Sequence, residues 1–123
     1  MSDRNPADLA PDMKGAYAKW DTGMKEAGID YILTCTRRTQ EEQQALYNQG
    51  RTTPGRIVTW TLHSKHLTGE AFDFVIMNNG KPDWQMIFAS KWNKAVEIGK
   101  ELGLNQVVNS EGKIMEFAHL QMG

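Results

Sequence analysis

Ala71-Phe-Asp73-Phe-Val-Ile-Met77 constrains this chain more than any other segment. The run is short, rich in β-formers and followed by Asn78-Asn79-Gly80, a turn signal, so it reads as a strand. Period two puts Phe72 and Phe74 on one face and Asp73 on the other. A carboxylate between two core aromatics needs a partner, because burying it bare is costly. A metal ion would supply one; an Asp on the solvent face of an edge strand would need none.

The rest of the chain supplies helices to cover the aromatic face. Leu9, Met13, Tyr17, Trp20, Met24 and Ala27 recur at steps of three and four, one buried helix face, and Gly28 supplies the stop. Tyr31 to Thr36 reads as a second strand. Thr39 can cap the next helix, with Glu42 completing a capping box, and that helix ends at Gly50. Residues 51 to 65, with Pro54-Gly55, read as an ordered loop holding at most a short strand. A long helix is expected from Trp84 to Leu102, with Phe88, Trp92, Ala95, Gly99 and Leu102 as its buried stripe and Gly103 closing it. Val107-Val108 and Ile114 to Leu120 are strand candidates around an Asn109-Ser-Glu-Gly112 turn. With 123 residues and no internal repeat, this pattern predicts a single α+β domain with a small antiparallel sheet and about three helices.

Charge and cysteine content narrow the function. Fourteen Lys and Arg stand against 15 Asp and Glu, a formal net charge of −1, which excludes a nucleic-acid partner held by bulk electrostatics. The single Cys35 rules out an internal disulfide and any metal site built on two cysteines; in Tyr31-Ile-Leu-Thr-Cys-Thr it reads as a buried core thiol. Residues 1 to 10 carry no apolar stretch of a secretory signal, and runs such as Met86-Ile-Phe-Ala89 are too short to enter a bilayer. The expectation is therefore a monomer made in the cytoplasm.

Four residues suggest chemistry. His66 precedes Asp73 with six residues between, and Glu116 precedes His119 with two between. Two imidazoles and one carboxylate make a zinc ligand set that leaves a position for water, and the spare Glu116 is the general base such a water needs. On a regular strand Glu116 and His119 would face opposite ways, so a bend is required between them. Gly69 would let the chain turn so that His66 and Asp73 meet. His63 competes with His66 as a ligand, and a solvent-facing loop His is its simpler reading. Arg38 is the candidate cation for the charge that develops on an attacked carbonyl oxygen; a surface ion pair is the alternative.

These residues sit in a longer pattern. Thr36-Arg-Arg38-Thr-Gln-Glu-Glu-Gln43-Gln-Ala-Leu-Tyr47-Asn-Gln-Gly50-Arg51-Thr52, Gly55-Arg-Ile-Val-Thr59, Ser64-Lys-His66-Leu-Thr-Gly69-Glu-Ala71-Phe-Asp73-Phe and the final Glu116 to His119 resemble the zinc peptidases of the D-alanyl-D-alanine peptidase family. The nearest branch in pattern is the L-alanyl-D-glutamate endopeptidases of phage endolysins and some bacterial wall hydrolases. The resemblance implies the α+β fold shared with hedgehog signalling domains, and zinc held by His66, Asp73 and His119. It implies Glu116 as general base, Arg38 near the substrate carbonyl, Ser64 steadying the ligand loop and Gln43 supporting the site. The implied substrate is the peptidoglycan stem peptide, cut at L-Ala–D-Glu, as in phage lysis of a host, by a catalytic domain spanning 1–123 without a wall-binding module. A D-Ala-D-Ala carboxypeptidase or dipeptidase and a non-catalytic peptidoglycan-binding module are the alternatives. Members commonly carry a Trp-Gly-Gly-type segment after the helix; this chain reads Asn105-Gln-Val-Val-Asn-Ser there, in a region that shapes the substrate cleft.

Overall fold

The computed structural model describes residues 3–55, 65–108 and 114–122, with backbone alone for 107–108 and 114–118. Among the described residues three α-helices, α1 (Pro11–Glu26), α2 (Gln40–Asn48) and α3 (Ala89–Glu101), accompany five strands: β1 (Asp30–Cys35), β2 (Ala71–Asn78), β3 (Lys81–Pro82), β4 (Leu104–Val108) and β5 (Ile114–Met122). The sheet is antiparallel in the order β1-β2-β5-β4, with β3 folded back on β2. This is the α+β architecture that the sequence predicts.

The core lies on the Phe72–Phe74 face. Trp20 of α1 packs its ring 5.0 Å from both phenylalanines, and Trp92 of α3 stands 5.5 Å from Phe74. The indole N–H of Trp20 donates to the Ala95 carbonyl at 2.9 Å, which ties the two helices together and satisfies the buried polar edge of the ring. α2 forms as expected: the Thr39 hydroxyl accepts from Glu42 N–H while the Glu42 carboxylate accepts from Thr39 N–H. Its buried residue is polar, Gln43.

Several boundaries differ from expectation, each for a local reason. α1 begins at Pro11, whose missing N–H and fixed φ suit a first helical position, so Leu9 is buried ahead of the helix and Ala27 is exposed at its end. β1 stops at Cys35 because Thr36 N–H turns instead to the Asp3 carbonyl at 2.6 Å. α3 starts five residues late. The buried Asp83 carboxylate accepts from Ile87 and Phe88 N–H and from Trp92 Nε1, and Met86 adopts φ +54°, so residues 84–88 form a turn. Phe88, expected in the buried stripe, is 37% exposed, and Trp84 64%. Residues 65–68 form a 3-10 turn that the sequence did not announce. The Ile57-Val58 strand and the Asn109–Gly112 turn fall outside the described residues.

Candidate active site

The second face of the sheet carries the polar cluster. Strand register pairs Cys35 of β1 with Asp73 of β2, and Asp73 with His119 of β5, so thiol, carboxylate and imidazole form one row across three strands. His66 joins from the 3-10 turn Lys65–Thr68, which is fastened to the end of β1 by Arg38 N–H to the His66 carbonyl at 2.9 Å. Gly69 closes that turn at φ +75°, and its carbonyl accepts from Ala10 N–H at 2.9 Å.

Asp73 is the hub. One oxygen, Oδ1, lies 3.1 Å from His66 Nε2 and 2.9 Å from His119 Nδ1. The other, Oδ2, faces Arg38 Nη2 at 3.8 Å. Arg38 is itself held by Gln43, whose Oε1 accepts from Nη1 at 2.7 Å. The guanidinium thus leans on the outer oxygen of Asp73, leaving Oδ1 to the imidazoles.

Each imidazole is oriented by its outer nitrogen. His66 Nδ1 donates to the Thr36 carbonyl at 2.9 Å, and a carbonyl can only accept. His119 Nε2 donates to Gln121 Oε1 at 2.9 Å. With both outer nitrogens protonated, the inward ones, His66 Nε2 and His119 Nδ1, are the positions that can offer a lone pair to a metal. Burial alone would lower the basicity of His66, but its contacts with Asp73 and Cys35 outweigh burial and raise its pKa from 6.5 to about 10. Burial pushes Asp73 the opposite way, yet its close contacts with His119 and His66 hold its carboxyl far below the usual carboxylate range. The metal-free cluster therefore holds a proton between an imidazole and a carboxylate, where a divalent cation can replace it.

The donors at Asp73 suit zinc by type, two imidazole nitrogens and a carboxylate oxygen, and two of their three separations can be set against a zinc site. Donors around a tetrahedral ion with bonds of about 2.0–2.1 Å stand about 3.3–3.4 Å apart. The observed 2.9 and 3.1 Å need to open by only a few tenths of an ångström.

The other expected site residues fall differently. Glu116 lies in β5 with its backbone opposite Val107. Between the Asn105–Gln121 and Val107–Glu116 pairs, β4 advances two residues while β5 runs back five. The strand is thus irregular between Glu116 and Gln121, the stretch that holds His119. The Glu116 side chain, His63 and Ser64 lie outside the described residues. Gln121 and Cys35 were missed as site residues. Gln121 could have been found, since two residues from His119 on a strand is the same face. Cys35 reaches the cluster through a cross-strand pairing that no local pattern announces.

The same arrangement can be set beside known proteins. No protein-family model matches the chain. The peptidoglycan L-alanyl-D-glutamate endopeptidase CwlK of Bacillus subtilis is 33% identical over 126 residues, a match covering 95% of this chain and 75% of CwlK. The chain belongs to this endopeptidase family. An L-alanyl-D-glutamate peptidase of a Listeria phage is 34% identical over 95 residues, covering 77% of this chain and 31% of the phage protein. Among solved structures, the Serratia marcescens L-Ala D-Glu endopeptidase ChiX superposes with a TM-score of 0.69 at 21% identity, covering 100% of this chain and 89% of that one. The LdcB LD-carboxypeptidase gives 0.70 at 17% identity, covering 93% and 58%. These two share the D-Ala-D-Ala peptidase fold with the family.

Proposed function

We propose that this chain is a zinc-dependent peptidoglycan hydrolase that cleaves the L-Ala–D-Glu bond of the stem peptide, with the metal held by His66, Asp73 and His119. The observation that carries the assignment is the pair of imidazoles whose outer nitrogens are engaged by acceptors while their inner nitrogens converge on one oxygen of Asp73. Identity to CwlK over nearly the whole chain supports the bond assigned, and the phage relative supports a role in host lysis.

Zinc in this site would polarise the scissile carbonyl and acidify a water toward a pKa of about 7. Two neutral histidines and one carboxylate leave the centre a net positive charge, which is what that acidification requires. Glu116 takes the proton of the attacking water and passes it to the departing amine of D-Glu. Arg38 keeps Asp73 to one inward oxygen and adds positive charge beside the carbonyl under attack. Gln43 fixes the guanidinium, and Gln121 fixes the tautomer of His119. The described residues make up one catalytic domain, and the enzyme acts as a monomer. Among the described residues no helix is long and apolar enough to cross a membrane.

Digestion of purified peptidoglycan by the zinc-loaded chain, followed by mass spectrometry of the new termini, tests the assignment. A freed D-Glu amino terminus is expected. Released D-Ala instead would move the enzyme to the carboxypeptidase branch, and no new terminus with zinc bound would make the chain a wall-binding module.

A further inference from the structure

Cys35 is the one donor of the cluster that the peptidase reaction leaves unused. It is 3% exposed and stands beside Asp73 in the cross-strand row. One ligand atom each from Cys35, His66 and Asp73 lie within 4.8 Å of one another. Arg38 Nη2 donates to Sγ at 3.5 Å. Donors around a small tetrahedral ion with one sulfur are about 3.3–3.6 Å apart, so this set needs to contract by at most about 1.5 Å. A larger, softer ion needs less contraction.

We propose that Cys35, His66 and Asp73 form a second metal-binding triad that overlaps the first and takes thiophilic divalent ions of the cadmium class. The two triads share His66 and Asp73 and differ in their third member, Cys35 against His119. Sulfur is the soft ligand of the cluster and selects soft ions, whereas imidazole and carboxylate alone do not. On binding, the thiol gives its proton to solvent and the sulfur forms the bond to the metal. Thiolate and carboxylate would leave the occupied site less positive than the His66–Asp73–His119 set, so a water beside the ion would be acidified less. The inference rests on the reading of His66 and Asp73 as metal ligands, and not on the bond cleaved.

The full chain, freed of metal, is titrated with cadmium while thiolate-to-metal absorption is followed in the ultraviolet. One thiolate–cadmium band per chain is expected, lost in Cys35→Ser, with the ratio of cadmium to zinc affinity falling roughly tenfold or more for the loss of the one soft ligand. Cadmium NMR of the unaltered chain gives the same answer without a variant: a resonance in the sulfur-containing range supports the triad. A resonance typical of nitrogen and oxygen ligands alone, with no ultraviolet band, overturns it while leaving the zinc site standing. If neither zinc nor cadmium binds stoichiometrically, the zinc assignment and the second triad fall together.

Discussion

Gly69 offers the sharpest link between backbone and site. It holds φ +75°, and an added Cβ would meet Ala10 N at 2.7 Å, Asp8 O at 3.1 Å and Leu9 C at 3.2 Å, all backbone atoms that cannot swing aside. Gly28 is its natural control: φ is +71°, yet a Cβ there meets nothing within 4 Å. Gly28→Ala should cost only the left-handed strain, about 1–2 kcal/mol. Gly69→Ala should add an overpacking cost of about 1–3 kcal/mol, for a total of about 2–5 kcal/mol. Domains are stable by about 5–15 kcal/mol, so the second loss is large but survivable in many backgrounds. Denaturant unfolding of both metal-free variants measures the difference. Because Gly69 adjoins the turn that carries His66, zinc affinity should also fall in Gly69→Ala and stay unchanged in Gly28→Ala. If the two variants unfold at the same denaturant concentration, the backbone contact with residues 8–10 does not hold the turn as argued.

Four further expectations concern single side chains. Asp73→Ala should lose the metal, and unchanged zinc content by elemental analysis would remove Asp73 from the ligand set. Glu116→Gln should keep zinc and lose about 10²–10⁴-fold in turnover, as expected for a general base; ordinary wall digestion by that variant would sink the role. Gln121→Leu should weaken zinc binding about 10–100-fold by freeing the His119 tautomer, with Gln121→Glu restoring it, both read by competition with a chelating dye. Tyr31 is half-buried, donates to Asp21 at 2.5 Å and lies 2.6 Å from the Tyr17 hydroxyl. Burial, then the Asp21 contact, raise its pKa well above the ordinary 10.0. A raised folded-state pKa gives stability that is fully present below pH 10.0 and lost above it as the unfolded phenol ionises. The stability gap between the unaltered chain and Tyr31→Phe should thus be flat up to about pH 10 and narrow beyond it; a gap that widens with pH would contradict the assignment.

What the sequence revealed was whatever is written locally. Alternation around Asp73 placed the aromatic face and the acid face of β2 correctly, and Thr39 with Glu42 announced the start of α2. The late start of α3 was hidden because Asp83 captures N–H groups four and five residues ahead, turning a helical-looking Trp84–Phe88 into a loop. At the site, the spacing of His66, Asp73 and His119 named residues that the fold does bring together. Cys35 read as core because its neighbours are apolar, and it is buried; its place beside Asp73 depends on which strands pair, a non-local property. The parity of Glu116 and His119 asks for an irregularity in the last strand, and the β4–β5 register does shift between its Glu116 and Gln121 pairs.

The strand order β1-β2-β5-β4 has a consequence for synthesis. β5 is the last of the strands to leave the ribosome, yet it lies inside the sheet, between β2 and β4. Until it inserts, β2 has an open edge and the polar cluster lacks His119, so a nascent chain has neither a closed sheet nor the full cluster. The gap must be filled from a distance of more than forty residues along the chain, the kind of long-range pairing that forms slowly. During synthesis the row of Cys35 and Asp73 therefore stays without its third member until β5 docks.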